Sequence, residues 1–153
     1  MSHDEAFLER LALAIAKLRL DALVVGMTAA SLQGVPLLTQ DVDLLVRDTK
    51  RNREKLAELA SEMGAAKNPV VRELSDVITF LGAAAPIDVL FDVLPGRLRF
   101  ESLKSRAVRV PVGRGSLRLA SLADVAKSKR AVGRPKDKAQ LLVIEDVLKL
   151  RKA

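Results

Sequence analysis

The sequence predicts an α+β fold: a mixed β-sheet flanked by helices, closed by a short C-terminal helical tail. Three observations carry that expectation. Short apolar runs rich in β-branched residues, each bounded by Gly or Pro, recur through most of the chain. Helical periodicities separate several of these runs. From Ser121 onward the pattern is purely helical, and no repeat or low-complexity linker interrupts the order. The 153 residues suit one domain, and 49% apolar residues suffice for a core. One unit over 1–153 is therefore expected, with its core at about 20–120 and its helical tail at about 121–153.

Taken in order, Glu5–Leu20 reads as an amphipathic helix with Phe7, Leu8, Leu11, Ile15 and Leu18 on one broad face. "DALVVG" is a short buried strand ending at Gly26, and "MTAASLQG" a short helix stopped by Gly34. Pro36 enforces an extended approach to "DVDLLV", a second strand. "TKRNREKLAELASEMG" is a helix with Leu56, Leu59, Ala60 and Met63 inward. "DVITFLG" and "PIDVLFDVLPG" read as strands, and "RLRFESLKSRA" holds a helical turn. "VRVPVGRGSLRLA" is a hairpin turning at "GRGS". Ser121 is the expected N-cap of a helix stopping at Gly133, and Pro135 opens the last one.

Composition narrows the function classes. No apolar run is long enough to span a membrane, and the N-terminus lacks the features of a signal peptide. The chain has no cysteine, which removes disulfides and thiolate metal sites and fits a cytoplasmic location. The net charge of +7 points to a polyanionic partner, a nucleoside triphosphate or a nucleic acid. Four Phe with no Trp or Tyr supply few surfaces on which bases could stack. His3, the single histidine, lies too near a terminus to suit metal ligation.

The unusual stretch is "LLTQDVDLLV". Residues two apart on a strand share a face, so Asp41 and Asp43 project side by side while Val42 and Leu44 enter the core. Two carboxylates this close call for a cation, unless the strand face is simply solvated. Oxygen-only ligation suits Mg²⁺ or Mn²⁺. Asp88 alternates with Ile87 and Val89 in another apolar strand, and Asp92 follows on the same face near its end. If the two strands pair, Asp41, Asp43 and Asp88 converge and can hold two metal ions. Upstream, Gly26 joins a strand to a helix whose N-terminus can face phosphate.

Together, "VVGMTAASLQGVPLLTQDVDLLV" resembles the nucleotidyltransferase superfamily with the DNA polymerase beta-like fold. That pattern is an apolar strand, Gly then Gly or Ser, a short helix, Asp-x-Asp on the next strand and a later acidic residue. It maps onto Gly26, Asp41, Asp43 and Asp88. The tail "LRLASLADVAKSKRAVGRPKD", with Lys129 and Asp137, is similar to small bacterial nucleotidyltransferase-like proteins related to abortive-infection and toxin–antitoxin transferases. The likeness runs from about Leu23 to Gln140. Met27 stands at the second Gly-or-Ser position, Leu38 where a subgroup carries a basic residue, and Gln140 where an acidic residue is common.

The resemblance implies nucleotidyl transfer from a nucleoside triphosphate, ATP for instance, to a hydroxyl of an RNA end, a protein or a small molecule. Asp41, Asp43 and Asp88 would be the catalytic and metal-holding residues. Gly26, Met27, Thr28, Thr39 and Lys129 would meet the nucleotide. The alternative is a catalytically inactive binding module, for example one half of a toxin–antitoxin pair. For that reading the apolar last helix, with Leu141, Leu142, Ile144, Val147, Leu148 and Leu150, would serve a homodimer or a partner protein. A glycosyltransferase-type Asp-x-Asp needs a longer chain, and a plain RNA-binding domain would need more aromatics.

Overall fold

A computed structural model describes residues 3–37, 39–68 and 77–152, with the backbone alone for His3 and Asp4. The side chain of His3, Leu38 and the first residue of "DVITFLG" lie outside the described residues.

Helix α1 (His3–Leu18) leads into β1 (Leu23–Val25), α2 (Gly26–Ser31), β2 (Val42–Val46) and α3 (Lys50–Glu62). Strands β3 (Ala66–Lys67), β4 (Ile78–Leu81) and β5 (Ile87–Phe91) follow, then the short β6 (Val93–Leu94) and β7 (Leu98–Arg99). Helix α4 (Phe100–Ser105), the hairpin β8 (Val108–Val112) and β9 (Gly115–Leu119), and helices α5 (Leu122–Val132) and α6 (Pro135–Lys152) complete the order. The expected α+β architecture, a mixed sheet with helices and a helical tail, is what forms.

The main sheet runs β3-β4-β5-β2-β1-β9-β8. β1 is antiparallel to β2 and parallel to β9, while β2 is parallel to β5. The central strands are the most apolar because both of their faces are covered. Leu23, Leu44, Leu45, Ile87 and Leu119 are all fully buried. Helices α1 and α3 contribute Leu11, Leu56 and Leu59 to the same core.

Local chemistry sets the helix ends. The Thr49 hydroxyl accepts from the Asn52 N–H at 3.0 Å, capping α3. Ser121 caps α5 as expected, accepting from the Asp124 N–H at 3.1 Å. Pro135 is the first residue of α6, where its missing N–H costs nothing.

Two expectations are corrected. The stretch "PIDVLFDVLPG" is not one strand. Asp92 turns the chain in a left-handed conformation (φ 67°), so β5 stops at Phe91 and the remainder pairs as β6 with β7 in a separate small sheet. The second strand begins at Val42, leaving Asp41 just outside it. On α6, Ile144 is buried while Leu142 and Leu150 stay exposed, so its apolar circumference is only partly used. Among the described residues no helix is long and apolar enough to cross a membrane.

Candidate functional site

The strand register builds a row of side chains across the sheet. Val25 on β1 lies opposite Asp43 on β2, Asp43 opposite Asp88 on β5, and Asp88 opposite Thr79 on β4. Alternation explains why the acids are tolerated: Val42 and Leu44 flank Asp43, Ile87 and Val89 flank Asp88, and all four are buried on the other side. The Thr79 hydroxyl donates to Asp88 Oδ1 at 2.6 Å. That leaves the second oxygen of Asp88 free of any hydrogen bond from Thr79.

Gly26 makes room for Asp43. Its φ of +64° favours glycine, and a Cβ there would stand 2.5 Å from Asp43 Oδ2. The Asp43 carboxyl is pushed up from 3.8 to about 6, first by burial, then by the negative charges of Asp88 and Asp41. Lys129 and Lys136, on the C-terminal helices, act in the opposite direction. Asp43 is therefore the electrostatic focus of the three acids.

Asp41 is held differently. Its main-chain carbonyl accepts from the Thr28 hydroxyl at 2.8 Å and from the Thr39 hydroxyl at 3.1 Å, and the two hydroxyls are 3.1 Å apart. Thr28 and Thr39 thus fix the backbone that carries Asp41 into the acid cluster. Thr28 is buried and Met27 packs its side chain into the core, so Met27 offers the cleft only main-chain atoms. The first turn of α2 carries no side-chain cap.

Asp43 and Gly26 open onto a cleft of about 640 Å³, counting its mouth, between the sheet and the C-terminal helices. Leu90, Leu94, Pro95, Val125 and Val132 form its apolar part, and Asp124, Ser128, Lys129, Arg134 and Asp137 its polar part. Asp137 is fully buried and fully engaged. Its carboxylate accepts from Arg134 Nε at 2.6 Å, from Lys129 Nζ at 3.2 Å and from the Arg134 N–H at 3.3 Å. The Arg134 hydrogen bond is the main reason its carboxyl sits at about 2. Asp124 accepts from Arg106 Nε at 2.9 Å.

The predicted site residues fall into groups. Asp43, Gly26 and Lys129 line this cleft, and Asp88 adjoins Asp43 through the register. Asp41, Thr28 and Thr39 line a neighbouring hollow beside α1 and α2. Asp92 lies apart: its carboxylate accepts the Asp48 N–H at 2.9 Å and stabilises the turn. Thr79 and Arg134 were not singled out from sequence. A lone Thr in an apolar strand carries no sign of its cross-strand neighbour, and Arg134 had a sufficient role beside a helix start. Gln140 keeps its side-chain oxygen buried without a partner among the described residues.

All the ligands that the Asp41, Asp43 and Asp88 set offers are carboxylate oxygens, and burial and mutual repulsion have left Asp43 short of positive charge. Both properties fit a hard divalent cation. As the side chains stand, no group of three or more His, Cys, Asp or Glu among the described residues is gathered closely enough to hold a metal.

No protein-family model matches the sequence, and no curated protein matches it either. Solved structures do. Antibiotic-resistance factor ANT(2'')-Ia, in complex with adenylyl-2''-tobramycin, is similar with a TM-score of 0.66 at 16% identity, over 99% of this chain and 92% of that one. A protein from Thermotoga maritima described as a nucleotidyltransferase has a TM-score of 0.65 at 18% identity, over 99% and 94%. An antigenic nucleotidyltransferase-like protein from Paracoccidioides brasiliensis has a TM-score of 0.58 at 16% identity, over 96% and 78%. The chain has the nucleotidyltransferase fold.

Proposed function

We propose that this protein transfers a nucleoside monophosphate from a nucleoside triphosphate to an acceptor hydroxyl and releases pyrophosphate. The observation that carries the proposal is the pairing of Asp43 with Asp88 in the strand register, directly against the Gly26 turn. Nothing in the packing requires two adjacent carboxylates there. Their mutual repulsion is a cost that a bound cation and triphosphate would offset.

In this reading the triphosphate lies in the cleft, with its phosphates near Gly26 and the main-chain N–H groups that open α2. Lys129 and Lys136 face it from the C-terminal helices, and the apolar part of the cleft takes the nucleobase. Asp41, Asp43 and Asp88 would hold Mg²⁺ or Mn²⁺, which supplies charge neutralisation for the triphosphate and the departing pyrophosphate. The acceptor oxygen attacks the α-phosphorus in line. The bond from that phosphorus to the oxygen bridging to the β-phosphate breaks as the new ester forms. Asp88, through the oxygen that Thr79 leaves free, takes the acceptor's proton. Thr28 and Thr39 position Asp41 and do not touch phosphate.

Transfer of label from an α-³²P nucleoside triphosphate tests the proposal, with candidate RNA, protein and aminoglycoside acceptors. Asp43→Asn and Asp88→Asn should abolish transfer, whereas Asp92→Asn, a turn residue, should not. Full activity in Asp43→Asn would remove the acids from the chemistry. Tight binding of the triphosphate with no transfer to any acceptor would favour the inactive binding module.

A further inference from the structure

A second concave surface lies on the other side of β1, between α1 and the β8–β9 hairpin. It encloses about 1150 Å³, counting its open mouth. Its charged lining is four arginines, Arg19, Arg109, Arg114 and Arg118, against one acid, Asp21. We infer that this groove holds the phosphodiester backbone of a nucleic acid strand, without reading its sequence.

Three features set these arginines apart from an ordinary solvated basic face. Arg109 and Arg118 are direct cross-strand partners in the hairpin, an arrangement of like charges that destabilises a sheet. Compensation is incomplete. Arg118 Nη1 reaches Asp21 Oδ1 at 3.3 Å, but Asp21 is shared with Lys104 at 2.7 Å. Arg109 donates only to the Ser116 hydroxyl at 2.9 Å, and no carboxylate among the described residues pairs with it. Arg19 occupies a left-handed position (φ 51°) that ends α1, where glycine is the unstrained choice.

The groove is also rigid. Glu9 on α1 accepts the Arg114 N–H at 2.8 Å and so ties the hairpin turn to the helix. A Cβ at Gly113 would stand 1.8 Å from Glu9 Oε2, and one at Gly115 would stand 3.0 Å from the Ala12 Cβ. The turn can dock this closely only with glycine at those positions. The guanidinium groups are therefore held in place before any ligand arrives.

Planar guanidinium forks match phosphate oxygens. A concave lining suits a strand that lies within it better than the flat face of a membrane. The lining contains no aromatic side chain, so bases have nothing to stack on and the contacts fall on phosphates. The shortage of aromatics in the sequence excludes stacking recognition but leaves backbone recognition open. Binding here needs no nucleotide or metal, so the inference stands or falls apart from the transferase reading.

The test is fluorescence anisotropy of a labelled, mixed-sequence single-stranded RNA, titrated over a range of salt without nucleotide or metal. The logarithm of affinity should fall with the logarithm of salt with a slope of about −2, as expected for about three phosphate contacts. Single-stranded DNA of the same sequence should bind equally. Arg109→Ala should weaken binding severalfold and reduce the slope by about 0.7, whereas Arg109→Lys should keep most of both. Arg51→Ala, an exposed arginine on α3, should change neither. Absence of binding at low salt, equal losses in Arg51→Ala and Arg109→Ala, or competition by polyglutamate as effective as by unlabelled RNA would overturn the inference.

Discussion

Asp43 on the sheet and Asp137 on the last helix are both withdrawn from water, yet their carboxyls are displaced in opposite directions. Asp43 rises to about 6 and Asp137 falls to about 2. The difference lies in their partners. Asp137 is surrounded by Arg134 and Lys129 and needs nothing more. Asp43 faces Asp88 and Asp41, and its cations act from across a cleft. A buried acid with its partners in place is part of the fold. A buried acid whose nearest charged neighbours are acids is held ready for a ligand.

The largest effect that can break this comparison is on activity. Asp43→Asn should lower nucleotidyl transfer by about a thousandfold or more, while Asp137→Asn, if it folds, should retain measurable transfer. Single-turnover assays of both variants make the contrast. On stability the order reverses. Asp137→Ala strands Lys129 and Arg134 around a vacated position and should cost about 2–4 kcal/mol by urea unfolding. Asp43→Asn should instead stabilise the metal-free protein at pH 8, by about 1–3 kcal/mol, because it removes a charge the fold disfavours.

The pH dependence separates the two acids further. The folded carboxyl of Asp43 lies above its unfolded value of 3.8, so its penalty is full above about pH 6 and disappears as pH falls toward 4. The advantage of Asp43→Asn should therefore vanish over that window. Asp137 lies below its unfolded value, so its contribution is present above about pH 4 and is lost as pH falls toward 2. Wild type should lose its margin over Asp137→Asn there, as thermal melts across the two windows will show. The smallest effect belongs to Thr79→Val. Losing the hydrogen bond to Asp88 should slow transfer about tenfold and change stability by under about 1 kcal/mol.

Much of this site was legible because strand alternation is a local property. Val42, Asp43, Leu44 and Ile87, Asp88, Val89 declare their faces without knowledge of any partner strand. Register is not local, and so the neighbour of Asp88, Thr79, could not be read. Asp92 was misplaced because an apolar run gives no sign that one Asp within it adopts a left-handed turn. Thr28 and Thr39 were read as candidates for phosphate. Their real partner is a main-chain carbonyl thirteen and two residues away, which only the folded chain brings within reach. The caps at Ser121 and Pro135 were legible for the opposite reason, since their partners lie within one helical turn.

The central claim is that the acid row at Asp43 and Asp88 seeks a divalent cation. Thermal unfolding at pH 7.5 with and without millimolar Mg²⁺ tests it most directly, because a ligand bound only by the folded state raises the melting temperature. The account predicts an increase for wild type that is lost in both Asp43→Asn and Asp88→Asn and kept in Asp92→Asn. The same increase in all four proteins, or none in wild type with Mg²⁺ or Mn²⁺, would contradict it.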